Sequence, residues 1–434
     1  LTGSSVEASI PAIYQESSFP VQRSRDPTSE GGTNDERFAA GPPSLLRALN
    51  ERAILEHVRR HGPLTRAEIA AASGLSKPTV AQAVHQLRRV NLIREAGRRT
   101  GSQGPAAVLY ELNPAAGWVV GVDVGRRRVR AAVADLAGTI IERVEQPARA
   151  RSARSLVEQI GEVARRAARG AGLGWRRVSA VAVGTPGVPM GSGERVRLAH
   201  NLPGWNRAPI LAEIRARLRS DVTFENDVNL AAIGEAWRGA GRNVADFVYL
   251  HLGTGVGLGV VLGGSLHRGA SGAAGEIAYL PIPSGEVDQL RRRRGPLEEA
   301  IGARSIVEAA RRRGLGRVRD VEDVFRAARE GDERAAAVVE EVAWVAARAI
   351  AAVVAVLDPG LVVVGGGVGR NADLLLEPIR SGLRALTPVA TELVPAALGD
   401  EAELTGAVGM ALRRAQERLF DRGAPRLGRS VEGG

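Results

Sequence analysis

At 434 residues with 44% apolar content, the chain is long enough for two or three domains and apolar enough to bury a core in each. The absence of cysteine excludes disulfides, thiolate metal sites and thiol nucleophiles. The net charge of +11 points to polyanions in bulk, yet Lys77 is the one lysine among 59 basic residues. Such a bias to arginine reflects codon composition as much as selection, so only the local placement of charge is informative.

Residues 1–43 are rich in Ser, Glu, Gly and Pro and are predicted to be disordered, as is the tail 416–434. Neither end carries an apolar signal-peptide core, and no run of about eighteen apolar residues occurs anywhere, so a cytoplasmic protein with no membrane partner is expected.

Residues 44–114 read as an α+β winged helix-turn-helix. "SLLRALNERAILEHVRRHG" is a helix closed by Gly62; Thr65 N-caps "RAEIAAAS", with Glu68 completing a capping box. Gly74 turns the chain, Ser76 caps "KPTVAQAVHQLRRV" with Pro78 in its first turn, and Asn91 follows the end of that helix. "LIREAGRRTGSQGPAAVLYELN" then supplies two strands around a Gly-rich loop, the make-up of a wing. On the second short helix Val80, Val84 and Leu87 share the inward face, while Gln82, His85 and Arg89 lie opposite, flanked by Thr79 and Gln86. With Ser76 and Lys77 at the helix start and Arg98 and Arg99 on the wing, these are the residues expected to meet base edges and phosphates of double-stranded operator DNA. A plain protein-interaction module explains a helix pair but not the caps, free polar face and wing together.

Residues 115–415 alternate strands and helices with many glycines, the texture of an α/β domain. Three strand ends are glycine-rich. "VGVDVGRRRVRAAVADLAG" carries Asp123 and Gly125, "HLGTGVG" carries Gly253, Thr254 and Gly255, and "LVVVGGGVG" carries Gly365, Gly366 and Gly367. Bare backbone at such turns admits a phosphate or a flat ring. In "VTFENDVNLAAIGEAW" a strand delivers Asn226 and Asp227 to a helix start, where a carboxylate can take a hydroxyl proton and an amide can orient that hydroxyl. Taken alone, this pair reads equally as an N-cap.

The segments "GVDVG", "VAVGTPGVP", "AHNLPGWN", "FENDVNLAAIGEAW", "HLGTGVGLGVVLGGSLHRGASGAAGEIA" and "DPGLVVVGGGVG" resemble, in order and spacing, the ROK family of sugar kinases and sugar-responsive repressors. The resemblance covers nearly all of residues 44–413 and matches the repressor branch, which carries a winged helix-turn-helix in front. It implies an actin-like ATPase (ribonuclease H-like), two-lobed sugar-kinase fold with sugar and nucleotide meeting between the lobes. By the same resemblance Asp227 is the catalytic base. Asn201, Asn226, Glu276 and Glu298 surround the sugar; Asp123, Gly125 and Gly253 to Gly255 face the phosphates, and Gly365 to Gly367 the adenosine side.

The departures shape the functional expectation. Kinases of the family follow the first strand's Asp with two glycines and a small hydroxyl residue, whereas Arg126, Arg127 and Arg128 stand here and obstruct approach to the γ-phosphate and its Mg²⁺. The family's zinc-binding histidine position is Tyr279, its cysteine run reads "LRRRRGP" and Pro296 takes the place of the last cysteine, so zinc is not expected. Tyr279 is expected to offer the sugar one hydroxyl, and Arg291 to Arg294 to form a solvated loop. In the wing, "SQGPAA" with Gln103, Gly104 and Pro105 replaces the Gly-Arg-Pro often seen there. The expected protein is a sugar-responsive repressor that requires no cofactor and acts as a homodimer or dimer of dimers. Its rival is an active sugar kinase with an attached DNA-binding head, for which ATP and Mg²⁺ are required and Asp227 is the base.

Overall fold

The computed structural model describes residues 43–100, 106–149, 152–189, 195–199, 202, 204–206, 209–282 and 294–423. Chain contacts group residues 43–116 with residues 416–423 as one compact unit and residues 117–415 as the other.

The first unit contains α1 (Pro43–His61), β1 (Leu64–Thr65), α2 (Arg66–Ser73), α3 (Lys77–Arg89), β2 (Ile93–Arg99) and β3 (Ala107–Leu112). Its sheet has the order β1-β3-β2, all antiparallel. The local signals act as their chemistry predicts. Thr65 Oγ1 accepts the Glu68 N–H at 3.2 Å, and the Thr65 N–H donates to Glu68 Oε2 at 2.8 Å, satisfying two orphan donors of α2. Gly74 closes α2 in the left-handed region at φ +67°. Ser76 Oγ accepts the Thr79 N–H at 3.3 Å and starts α3. Ile54, Val58, Ile69, Val80, Val84, Leu87, Ile93 and Tyr110 form the core, which fixes the roll of α3 and leaves its polar face outward.

The second unit has two lobes with the same topology. In the first lobe β4 (Trp118–Val124), β5 (Arg128–Asp135) and β6 (Ile140–Pro147) form an antiparallel meander, and β7 (Val178–Thr185) and β10 (Val222–Asn226) extend it in parallel beyond β4. Helix α4 (Ala153–Gly170) makes the crossover to β7; β8 (Val188–Pro189) and β9 (Val196–Arg197) form a small ribbon, and α5 (Ile210–Leu218) leads to β10. Helix α6 (Asp227–Arg238) follows directly on β10.

The second lobe repeats the plan. β11 (Phe247–Leu252), β12 (Val256–Leu262) and β13 (Ser265–Leu266) form the meander, and β14 (Leu361–Gly365) and β15 (Glu392–Pro395) extend it in parallel beyond β11. Its helices are α7 (Pro296–Ile301), α8 (Ala303–Arg312), α9 (Val321–Arg329), α10 (Glu333–Leu357), α11 (Gly366–Gly369), α12 (Ala372–Leu386) and α13 (Ala402–Gly423). The parallel strands β7 and β14 are buried on both faces and read as nearly continuous apolar runs. In open α/β sheets ligands bind beyond the carboxyl ends of such strands.

Helix α13 corrects one expectation. The tail assigned to disorder from residue 416 is helical to Gly423, because "AQERLFDR" is made of good helix formers and contains no proline. Its start is locked by backbone-to-backbone contact with α6. A Cβ on Gly406 would stand 1.8 Å from the Leu230 carbonyl oxygen, and one on Gly234 would stand 2.3 Å from that of Ala402. The fully buried Glu235 completes the lock, its carboxylate accepting the N–H groups of Ala240 (2.7 Å), Ala397 (3.2 Å) and Leu398 (2.9 Å).

This contact yields a test. Gly406→Ala must push two helices apart and is expected to destabilise the second unit by about 1–3 kcal/mol in urea titrations, whereas Gly316→Ala, with nothing within 4 Å, should stay within roughly 0.5 kcal/mol. Equal effects at both positions would refute the close-packing account.

Candidate functional site

Strand and helix ends bring acidic groups from distant parts of the chain into one cleft of about 1230 Å³ between the lobes. Asp123 comes from β4, Asp227 opens α6, Glu276 precedes a short turn ending at Tyr279, Glu298 lies on α7 and Glu403 on α13. Burial is the main reason their protons are held tightly. It raises Asp227 to about 7, reinforced by the charges of Asp123 and Glu276. Burial raises Glu298 to about 7 and, with repulsion from Asp123, Glu403 to about 8. Glu276 and the Tyr279 hydroxyl are also raised by burial. Near neutrality the cleft therefore offers both protonated and ionised carboxyls, that is, donors and acceptors together.

Asp123 is not free. Arg130, 5% exposed, donates from Nε (3.0 Å) and Nη2 (2.8 Å) to Asp123 Oδ2 and from Nη1 to the Asp400 carbonyl. Glu401 and Glu403 stand 3.4 and 3.5 Å from the same guanidinium. Burial raises the Asp123 carboxyl against this pull. Sequence reasoning missed Arg130, although the signal existed. A hairpin turning at Gly125 to Arg127 places residues 123 and 130 opposite one another, which is the observed register. His251 was also missed. It sits one residue before the end of β11 and lines the cleft, burial lowers its imidazole to about 4, and Nδ1 lies 4.0 Å from Glu403 Oε1 with no hydrogen-bond partner.

The remaining predicted residues divide. Asn226 lines the cleft but is the N-cap of α6. Its Oδ1 accepts the Asn229 N–H at 3.1 Å and its Nδ2 donates to the Gly187 carbonyl at 3.2 Å, so Asn226 caps α6, while Asp227 Oδ1 accepts the Val228 N–H at 2.9 Å. Beside them Glu225, 4% exposed, is held by Arg268 at 2.7 Å and Asn229 at 2.9 Å. Gly125, Gly253, Thr254, Gly255, Gly366 and Gly367 line the cleft. A Cβ on Gly255 would lie 3.1 Å from Glu298 Oε2, and Gly366 adopts φ +85°. Gly365 is a correction. It is buried beneath Tyr249, whose hydroxyl would stand 2.3 Å from a Cβ, and it does not line the cleft as Gly366 and Gly367 do.

The arginine turn is present in the cleft wall. Arg126 and Arg127 are exposed and line it, while Arg128 reaches Asp400 at 3.2 Å and Glu145 at 3.5 Å. Arg294, expected on a solvated loop, pairs with Glu299 at 3.3 Å beside Pro296, the first residue of α7. Asn201, Arg291 to Arg293, and Gln103 to Pro105 lie outside the described residues.

On the first unit α3 presents Lys77, Gln82, His85 and Arg89 exposed, with Thr79 and Gln86 at the margins. Ser76 and Thr79 bond to each other through their hydroxyls at 2.8 Å, so both help build the helix start. Arg98 is exposed on the wing, but Arg99, assigned to phosphate, is engaged by Glu68 of the capping box. Arg88 ties α3 to the wing through Glu95 at 2.9 Å. No helix among the described residues is long and apolar enough to cross a membrane.

Comparison with known proteins agrees with both halves. Residues 48–101 match the model of the MarR family and residues 119–414 that of the ROK family. A glucokinase of Halalkalibacterium halodurans is 32% identical over 70% of this chain and 98% of its own length. A putative xylose repressor of Caldicellulosiruptor sp. is 26% identical over 78% of this chain and 88% of its own. Among solved structures, a ROK family glucokinase from Streptomyces griseus in complex with glucose and AMPPNP superposes with a TM-score of 0.59 at 30% identity, covering 68% of this chain and all (100%) of that one. A ROK family transcriptional regulator, homologous to the E. coli MLC protein, superposes over 87% of this chain and 99% of its own with a TM-score of 0.73 at 21% identity, which extends the likeness in fold to the first unit. With its two-lobed sugar-kinase fold and its MarR-type winged helix, the chain belongs to the ROK family.

Proposed function

We propose that this protein is a sugar-responsive DNA-binding repressor of carbohydrate-metabolism genes, in which the kinase-like unit senses the sugar and the winged helix reads the operator. The observation that carries the reading is the exposed face of α3. Lys77, Gln82, His85 and Arg89 are held on a helix capped at its start and packed underneath, a rigid set of hydrogen-bonding side chains sized for a major groove. The cleft supplies the second half. Asp227, Glu276, Glu298 and Tyr279 can each partner one hydroxyl of a desolvated polyol, and their mixed protonation suits groups that both donate and accept. The likeness to a putative xylose repressor along 78% of the chain supports the same reading.

The nucleotide side fits a substrate poorly. Arg130 occupies one oxygen of Asp123, Arg126 and Arg127 crowd the turn, and the Gly253 N–H already donates to the Gly255 carbonyl at 2.9 Å. As a sensor the domain needs only a difference in sugar affinity between two conformations, and that difference sets how far the DNA-binding equilibrium can move. Two heads on half-sites about one helical turn apart require a symmetric oligomer.

The second reading, an active sugar kinase with a DNA-binding head, is favoured by Asp227, whose carboxyl at about 7 is poised as a general base. There Asp227 would take the proton of the attacking hydroxyl, and bound Mg–ATP would supply the phosphoryl group. A coupled assay with ATP and a hexose panel separates the readings. Turnover abolished in Asp227→Asn would establish the kinase.

For the repressor, Gln82→Ala or Arg89→Ala is expected to weaken specific operator binding by about 1–3 kcal/mol, with sugar affinity unchanged by calorimetry. A parallel fall in sugar affinity would sink the division of labour. A pH prediction follows from the cleft. Asp227 and Glu298 have raised values in the folded chain, so between their ordinary range and about pH 7 the folded state binds more protons than the unfolded one, and stability falls as pH rises across that window. Urea titrations from pH 5 to 8 should show this slope, shallower in Asp227→Asn; an unchanged slope would remove Asp227 from the account.

A further inference from the structure

A second concavity, of about 410 Å³, lies between α4 and α5 on the first lobe. Its shape is built by a glycine. A Cβ on Gly161 would stand 2.7 Å from Cγ of Arg217, so the missing side chain is what lets Arg217 lie across α4. Arg165 is fixed beside it, with Nη1 donating to the Gly161 carbonyl at 3.3 Å and Nη2 to the Arg217 carbonyl at 2.7 Å, and its guanidinium lies 5.1 Å from the Trp175 ring centre. Arg169 completes the group one helical turn on, and Arg217, Arg219 and Arg169 crowd Arg165 closely enough that, after burial, their charges lower its affinity for its own proton.

Carboxylates do not balance this cluster. Glu162 and Glu158 on the rim are turned to Arg149 (3.0 Å) and Arg154 (3.4 Å), and the side chains of Arg169, Arg217 and Arg219 have no carboxylate partner among the described residues. Elsewhere on the surface arginines close pairs readily, such as Arg334 with Asp332 and Arg329 with Asp373, both at 2.7 Å. Converging like charges on a fixed scaffold repel each other unless an anion bridges them.

We propose that this groove is a binding site for phosphate oxyanions, separate from the sugar cleft. Several guanidiniums, with Arg165 fixed among them, offer N–H donors to the several oxygens of a phosphate, and the volume admits a phosphate group with a small substituent. Two sources share this chemistry, a free phosphorylated small molecule and the phosphodiester backbone of DNA. The inference does not depend on the repressor reading.

The test uses the full chain and the double variant Arg169→Gln/Arg217→Gln, with Arg169→Gln alone as a second variant. Both residues are exposed, so folding should be preserved and is checked by thermal melting. Calorimetric titration with inorganic phosphate and pyrophosphate, against chloride at matched ionic strength, is expected to show binding that weakens at least about tenfold in the double variant. Binding to a 30-base-pair duplex of arbitrary sequence is measured in parallel over a range of salt. A salt slope smaller by about 2 in the double variant assigns the groove to DNA phosphates, and an unchanged slope with lost phosphate binding assigns it to a small ligand. Phosphate binding absent from the native chain or unaltered in the variants, together with an unchanged slope, overturns the proposal.

Discussion

One buried guanidinium holds the acidic cleft together. Arg130 is the one basic residue among the fully buried charged side chains described, and it faces Asp123, Glu401, Glu403 and the Asp400 carbonyl at once. Removing half of such a pair costs far more than the pair itself contributes, because a charge is then stranded in low dielectric. The β4–β5 register supplies Arg130 from one side, and the α6–α13 contact supplies Glu403 from the other. The cleft further adjusts by holding protons, with Asp227 and Glu298 near 7 and Glu403 near 8. Its members titrate as a group, and a polyol that donates to the ionised carboxyls and accepts from the neutral ones fits without displacing charge.

What could be read from the sequence was local. The Thr65–Glu68 box, Gly74 and the Ser76 cap each follow from residues within four positions of one another and each makes its expected bond, and the 3.6-residue period leaves the polar face of α3 outward. The family motifs extended that reading to the cleft, because each motif sits at a strand end and the strands converge. The losses were tertiary. Glu403 lies far along the chain from Asp123, and nothing in "DEAELTG" announces that its helix returns beneath α6. Gly365 looked like its neighbours, yet a tyrosine from the adjacent strand covers it. Arg99 looked free until the wing met α2. Arg130 differs in kind, since strand pairing alone would have found it.

The same chemistry explains why a kinase-like domain can become a sensor with few changes. Phosphoryl transfer demands that sugar, base, phosphates and metal be placed together, whereas sensing demands only unequal sugar affinity in two lobe arrangements. In the proposed sensor the sugar side keeps its carboxylates on α6, α7 and the turn before Tyr279, and Glu225 of β10 joins the lobes through Arg268. A sensor of that kind can carry Arg126 and Arg127 on the nucleotide side without loss of sensing.

Arginine is so abundant in this chain that its presence carries little information, and what distinguishes one arginine from another is its company. Many described surface arginines sit within hydrogen-bonding reach of a carboxylate, as at Arg304 and Glu308, or Arg370 and Glu322, both at 2.6–2.7 Å. Codon bias would scatter arginines and let acidic residues follow them, since unpaired like charges disfavour the folded state. Two groups of cations that lack a carboxylate are set on a shaped surface. On α3 the free cations stand beside amide and imidazole groups on a face the core leaves outward, and between α4 and α5 they converge over a glycine that makes room for them. Charge left unpaired on rigid scaffolding is stored attraction for an anion, and the geometry of the scaffold decides which anion it meets.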